Sequence, residues 1–320
     1  MRVSVVVPVY NAVDTIGACI RSIVEQEFED FEVVVVDDGS NDGSGAVCDE
    51  WMGKETGTGI INPRQQTKGD TDCCQRIRVV HQPNRGRTAA RAVGVRESSG
   101  EWIAFVDSDD RLPRNALSLL YSRATDDVDI VLGNGHLLGD GEWRATIPMP
   151  EFRHLAVRAE GPIGVPWGSL YRRRVVTPYL FDIDRRIVNG EDYLFWLRLV
   201  FTTDRSVNVV YESVYDKGDA HTSNSFVWTA DYCYELNELR KAAIPEAERP
   251  AYLSDMVADR LENMFSVAQW TPRSQWRRSQ FYKELLSDMA LLGMKMPLKS
   301  RLFLSLPSVW LRKVYGFLSS

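Results

Sequence analysis

The chain has little that would tie it to a metal–thiolate, secreted or membrane-spanning class. Its 320 residues include 5 Cys and 4 His. Cys19, Cys48, Cys73, Cys74 and Cys233 are odd in number and lack metal-type spacing, and adjacent Cys73 and Cys74 make a poor disulfide with each other. A disulfide framework is therefore excluded, and a reducing, cytoplasmic setting is expected. No stretch reaches the ~18–20 uninterrupted apolar residues of a bilayer-crossing helix. The first apolar run has no basic segment before it and no small-residue cleavage site after it, a poor match to a secretory leader. Excess positive charge is also missing. The formal net charge is −6, so the dense Lys/Arg that a phosphate backbone recruits is absent and nucleic acid is not an expected partner. The turn Tyr10-Asn11-Ala12-Val13 holds no glycine, which excludes the G-x-G-x-x-G of dinucleotide oxidoreductases and the Gly-rich phosphate loop of nucleotidyltransferases. No internal repeat or low-complexity tract is present.

What is present reads first as alternating strands and helices. Val3–Val9 is a continuous β-branched run, the mark of a strand buried on both faces. Ile16, Cys19, Ile20 and Ile23 then make one apolar helix face, with Asp14 as its expected N-cap. A second strand, Phe31–Val36, stops at Asp37-Asp38-Gly39-Ser40. Residues 53–76 are poor in large apolar side chains and read as an irregular insertion. The pattern resumes with a strand at Ile77–Val80, a helix at Thr88–Ser98 stopped by Gly100, and a strand at Trp102–Val106 ending in Asp107-Ser108-Asp109-Asp110. A helix from Leu112 to about Arg123 and a strand at Asp129–Leu132 follow. This order predicts an α/β, mostly parallel, doubly wound sheet. Later helices are expected at Asp192–Phe201, Tyr232–Ala243, Tyr252–Gln269 and Ser279–Leu292. The sheet-bearing domain is set at 1–225, with its two halves meeting at about 125–126. Residues 226–320 form a helical C-terminal extension.

In such a sheet, ligands bind outside the carboxyl ends of the strands. Here those ends carry Pro8-Tyr10-Asn11, Asp37-Asp38 and Asp107-Asp109-Asp110. Carboxylates converging on one crevice repel each other unless a cation neutralises them, and Asp oxygens suit Mg²⁺ or Mn²⁺ better than Zn²⁺. The alternative is that strand-end aspartates are helix caps and turn formers. For Asp110 the cap of the helix at Leu112 is the favoured reading.

Several of these stretches, in this order, closely resemble family 2 glycosyltransferases of the GT-A fold, of the bacterial polysaccharide type. They are Val3–Asn11, Phe31–Ser44, Asn84–Arg91 and Gly100–Asp110, and the match runs from residue 3 to about 125, then patchily to about 205. The resemblance implies a nucleotide-diphospho-sugar transferase with a divalent Mn²⁺ or Mg²⁺. Asp38 would accept a hydrogen bond from the donor base, with Tyr10 against that ring and Pro8 shaping the same pocket. Asp107-Ser108-Asp109 matches the family's DXD motif, Asp107 near ribose and metal and Asp109 on the metal. Arg87 and Arg91 would lie near the nucleotide, and Arg91 is equally read as a salt bridge to the acidic cluster.

Glu191-Asp192 opens an apolar helix and resembles the family's Glu-Asp motif, whose Asp is the catalytic base of inverting enzymes. A helix-capping acidic pair is the bland alternative. Trp167 is read either as stacking on an acceptor sugar or as core packing. His221 is read as contacting metal or phosphate, or as structural. The implied activity is inverting transfer from a UDP-sugar to a glycan or lipid-linked saccharide in surface polysaccharide synthesis. A polyprenyl-phosphate transferase and a non-catalytic nucleotide-sugar-binding relative are the alternatives. Non-catalytic relatives should have lost the DXD or Glu-Asp carboxylates, and this chain keeps both.

Charge is unevenly spread. Trp270–Ser320 carries 9 Lys/Arg against 2 Asp/Glu, a net of +7 that leaves −13 on Met1–Gln269. Within 300–318, basic, aromatic and apolar residues mix. That composition suits a helix on an anionic membrane, such as the inner face of the plasma membrane, or a helix packed back on the domain or in a dimer contact.

Overall fold

The computed structural model describes residues 1–52, 76–134, 144–159, 163–218 and 226–313. His221, Cys73, Cys74 and nearly all of the expected insertion lie outside the described residues. The chain divides into two compact units, Met1–Phe152 with Gly161–His221, and Arg153–Glu160 with Thr222–Ser320.

The first unit is built on an eight-stranded sheet. Its strands are β1 (Val3–Val9), β2 (Phe31–Asp37), β3 (Ile77–His81), β4 (Trp102–Phe105), β5 (Ile130–Leu132), β6 (Thr146–Ile147), β7 (Ser169–Arg172) and β8 (Val207–Val209), in the spatial order β3-β2-β1-β4-β7-β5-β8-β6. β3, β2, β1 and β4 are mutually parallel, and every residue of β1 and β2 is buried, as the unbroken β-branched runs predict. β7 is antiparallel to both β4 and β5, and β6 is antiparallel to β8. The helices between these strands are α1 (Ile16–Val24), α2 (Ser44–Trp51), α3 (Arg87–Glu97), α4 (Ala116–Ser122) and α6 (Glu191–Val200); α5 (Met149–Arg158) joins the two units in sequence. α1 buries Ile16, Cys19, Ile20 and Ile23, the face read from the sequence.

Two expected caps are corrected. α1 is preceded by Thr15, not Asp14, and Thr15 makes no side-chain cap bond. α4 starts at Ala116 after Asn115, four residues later than expected, and Asp110 does not cap it. Asp110 is buried and accepts hydrogen bonds from the Tyr215 hydroxyl at 2.7 Å and the Gly218 N–H at 2.8 Å.

The second unit contains α7 (Ala230–Ala243), α8 (Leu253–Trp270), α9 (Arg273–Trp276), α10 (Gln280–Leu291) and α11 (Leu298–Ser305). Thr229 and Ser279 cap α7 and α10 by accepting from the N–H groups of Tyr232 and Tyr282. Met264, Val267, Trp276, Phe281, Leu285 and Phe303 form its core. Arg312 is fully buried and has no carboxylate partner among the described residues. Its guanidinium donates to the carbonyls of Leu306 (2.7 Å), Thr271 (2.9 Å) and Ala268. The last carbonyls of α8 and α11 lack helical partners, and a cation among them also meets the negative ends of two helix dipoles. Phe303, Leu304 and Arg312, all in the segment read as a candidate membrane helix, thus face the unit's own interior. Among the described residues no helix is long and apolar enough to cross a membrane.

Candidate active site

The carboxyl ends of β1, β2 and β4 open on a cavity of about 820 Å³ in the first unit. Pro8, Tyr10, Asp38, Arg87, Asp107, Asp109, Asp110 and Trp167 all line it, so eight of the residues singled out in the sequence meet around one hollow. Asn84, Arg185 and Lys217 line it too, and the sequence reading missed them.

Local geometry explains the nucleotide-side wall. Asn11 adopts a left-handed φ of 50°; its side-chain oxygen accepts from the Asn41 N–H, and its own N–H donates to Ser40 Oγ, both at 3.0 Å. These bonds tie the turn after β1 to the loop after β2 and leave the Tyr10 ring 51% exposed at the rim. Gly39 has φ 74°, and a Cβ there would stand 2.8 Å from the Asn84 nitrogen, so only glycine lets the two loops approach. Of the acidic pair, only Asp38 lines the cavity. Asp37 turns away to His81 Nδ1 (2.9 Å) and the Ser40 N–H (3.0 Å). Asp38 is 2% exposed and accepts from Gln82 Nε2 (2.6 Å), the Arg85 N–H (2.8 Å) and the Gly86 N–H (2.8 Å). A carboxylate offers about four acceptor positions, so one remains. Asp38 therefore shapes the 82–86 loop before it meets any ligand.

The opposite wall is clipped in place. The Asp107 N–H donates to the Tyr215 hydroxyl (3.0 Å), Tyr215 donates to Asp110, and Arg111 and Asp216 exchange backbone hydrogen bonds at 2.9 Å. Burial, then Asp107 and Asp110, hold the Tyr215 phenol far above its ordinary range, so it stays a donor. A Cβ on Gly218 would run into the Asp109 carbonyl oxygen, which makes this close approach glycine-dependent. Tyr215 stacks on Trp167 with centroids 4.3 Å apart and 15° between planes, and Lys217 Nζ lies 4.6 Å from the Trp167 ring centre. Trp167 also packs against the core, which is one of the two readings of it.

Arg91 is not in the cavity wall. It is 2% exposed, and its two terminal nitrogens reach Asp107 (2.8 Å) and Asp192 (2.6 Å). Burial alone would disfavour the cation; Asp192 and Asp107 outweigh it and hold the guanidinium above its ordinary range. One buried cation thus links Asp107 to the first turn of α6. Glu191, buried beside Asp192, pairs with Arg87, which also donates to the Val188 carbonyl at 3.2 Å. Burial and the neighbouring Asp192 push the Glu191 carboxyl up to about 7 against the pull of Arg87.

No group of three or more His, Cys, Asp or Glu among the described residues is arranged to hold a metal ion. Asp109 nevertheless receives no hydrogen bond or ion pair from a described side chain, and Asp107 shares its charge with Arg91 alone. Two carboxylates facing one cavity, one of them uncompensated, fit a hard cation that takes its remaining ligands from substrate oxygens, as Mg²⁺ does beside phosphates. Arg185 and Lys217 add positive charge to the same cavity wall.

Residues 4–179 match the family model described as Glycosyl transferase family 2. Glycosyltransferase GlyA of Streptococcus pneumoniae serotype 4 is 30% identical over 253 residues, which cover 73% of this chain and 33% of that protein; the chain thus spans about a third of that relative's length. Residues 1–349 of S. aureus TarS in complex with UDP-GlcNAc superpose with a TM-score of 0.57 at 18% identity, covering 93% of both chains. The mannosyltransferase PcManGT from Pyrobaculum calidifontis, in complex with GDP-Man and Mn2+, superposes with a TM-score of 0.53 at 17% identity, covering 99% of this chain and 86% of that one. At these identities the structural likeness establishes the GT-A fold. With a family model matched over more than half its length, this chain belongs to glycosyl transferase family 2.

Proposed function

We propose that the chain transfers a sugar from a nucleotide-diphosphate donor, a UDP-sugar, to a glycan or lipid-linked saccharide acceptor in surface polysaccharide synthesis, with inversion at the anomeric carbon. The observation that carries this reading is the convergence of Asp38, Asp107 and Asp109 on one 820 Å³ cavity, with Asp192 joined to Asp107 through Arg91. The UDP-GlcNAc bound to TarS and the GDP-Man bound to PcManGT support a nucleotide-sugar donor for this chain as well.

Tyr10 flanks the base, and the remaining acceptor position of Asp38 takes a base N–H. Asp107 and Asp109 would hold a Mn²⁺ or Mg²⁺ that, when bound, offsets the charge developing on the leaving diphosphate. Arg87 and Lys217 add positive charge beside the same oxygens. Asp192, an anion in the first turn of α6 and hydrogen-bonded to Arg91, takes the acceptor hydroxyl proton. The acceptor oxygen forms its bond to the anomeric carbon as the bond from that carbon to the diphosphate oxygen breaks. The nucleoside diphosphate leaves with the electron pair, and no covalent enzyme intermediate forms. Glu191 keeps Arg87 in place beneath this face. The setting proposed is cytoplasmic, at the inner face of the plasma membrane, with peripheral contact to anionic lipid through the 300–318 segment.

A thermal-shift panel of UDP-, dTDP- and GDP-sugars with and without Mn²⁺ tests the donor assignment. UDP-sugars should stabilise the protein most, and more so with Mn²⁺. The absence of any nucleotide-sugar effect would remove the proposal.

A further inference from the structure

From Met289 to Ser320 the chain has no Asp or Glu, yet it carries Lys295, Lys299, Arg301, Arg312 and Lys313. Within this acid-free stretch, the connection from the end of α10 into α11 exposes large apolar side chains at high fractions: Leu291 76%, Leu298 61%, Leu302 52% and Met294 42%. The cause is local. Just past the end of α10, Gly293 has φ 64°, and the Met294 N–H returns to the Met289 carbonyl at 2.8 Å, closing the helix and freeing the chain to reverse. On α11 the inward positions are Ser300, Phe303 and Leu304. Leu298 and Leu302, one turn apart, therefore share the outward face with Arg301. A single exposed leucine needs no explanation, but four large apolar residues among three cations in twelve residues do.

We propose that Leu291–Leu302 is a docking surface for an anionic phospholipid bilayer. Twelve residues are too few to cross a membrane, but apolar side chains alternating with Lys and Arg fit the interfacial zone, where the former enter the acyl boundary and the latter meet phosphate headgroups. Charge argues against a second copy as the occupant. A two-fold interface would set Lys295, Lys299 and Arg301 against themselves with no acid in reach from this stretch. The inference deepens the peripheral-contact reading and rests on it. It carries the contact back from the outward side of the tail, whose Phe303, Leu304 and Arg312 point inward, to Leu291. It does not depend on the sugar chemistry.

The test is co-sedimentation of the full chain with phosphatidylcholine vesicles with and without phosphatidylglycerol, alongside gel filtration and the UDP-sugar thermal shift. Wild type should partition to the anionic vesicles, less so at high salt. The variant K295E/K299E/R301E should lose roughly 100-fold in partitioning, or about 3 kcal/mol at about 1 kcal/mol per cation. L291S/L298S/L302S should lose about tenfold or more at any lipid charge. Both variants should keep the wild-type melting temperature and nucleotide-sugar shift, because none of these side chains is buried. Wild-type partitioning in both variants would overturn the proposal, as would loss of binding only on removal of residues 314–320. A wild-type dimer that the leucine variant turns into monomer, with vesicle binding unchanged, would also overturn it in favour of a second copy. Vesicle binding without any nucleotide-sugar shift would leave this inference standing and sink the transferase reading; the converse result would do the opposite.

Discussion

The two ends of the central sheet both gather buried or half-buried acids, and they treat them in opposite ways. At the amino end, Glu32 faces Ser4 across β1 and β2 and accepts from Ser4 Oγ (2.6 Å), Ser99 N–H (2.5 Å), Ser99 Oγ (2.9 Å) and Gly100 N–H (3.2 Å). Burial would raise its carboxyl, but these donors bring it below its ordinary value. All four of these bonds end on one carboxyl oxygen, Oε1, so this acid ties the strand ends together. At the carboxyl end, Asp109 has no described donor and Asp107 has Arg91. Strand-end position alone does not make an acid functional. Asp37 and Asp110 also sit at the carboxyl end, and each already has two partners within the fold. What separates the two kinds is the balance of donors, because a carboxylate left uncompensated beside a cavity costs stability unless a cation or substrate completes it.

The sharpest way to break this contrast is at Asp192, whose partner Arg91 also holds Asp107. Asp192→Asn keeps a hydrogen-bond acceptor for Arg91 but removes the proton acceptor. Turnover should fall at least ~10²-fold while donor binding, followed by titration with UDP-sugar, stays within about twofold. Weakened donor binding at unchanged turnover would take Asp192 out of the chemistry. Next in size is Asp109→Asn. Removing one charged ligand should weaken Mn²⁺-dependent nucleotide-sugar binding by roughly 10–100-fold and erase the Mn²⁺ increment of the thermal shift, with little change in the unliganded melting temperature. A large drop in that temperature would mean that Asp109 is as structural as Glu32.

The sheet's parallel half was legible because β1, β2 and β4 are doubly buried, and burial on both faces writes itself as an unbroken apolar run. Of the other half only β5 was read, from its short apolar run. β7 reads Ser-Leu-Tyr-Arg and β6 has two residues; these strands exist because neighbours pair with them, not through their own patterning. α2, reading Ser-Gly-Ala-Val-Cys-Asp-Glu-Trp, has no strong apolar stripe and was missed for the same reason. In the site, residues inside known local patterns were found, whereas Lys217 and Tyr215 were not. Their positions are set by the Arg111–Asp216 bridge and the Gly218 approach to Asp109, contacts across more than 100 residues that no local spacing encodes. Asp110 was misread as a cap because a strand-end acid before a helix is a good local candidate, and the Tyr215 hydroxyl 105 residues away outcompetes it.

The smallest effect compares the two ends directly, through the pH dependence of stability. Glu32 titrates below its ordinary value in the folded chain, so its contribution is present above the unfolded carboxyl value and is lost as pH falls through the folded one. Glu191 is the reverse case. With its carboxyl pushed up to about 7, the unfolded chain releases the proton first, near 4.5. Its favourable contribution is complete below that value and disappears as pH rises toward about 7. Glu191→Gln should therefore flatten the decline in melting temperature between about pH 5 and 7 and leave the acid limb alone. Glu32→Gln should lower the melting temperature at neutral pH through its lost donors and flatten only the limb below about pH 4.5. If both substitutions change the same limb, the two ends of the sheet do not handle their acids differently, and the donor balance that separates Asp109 from Glu32 loses its meaning.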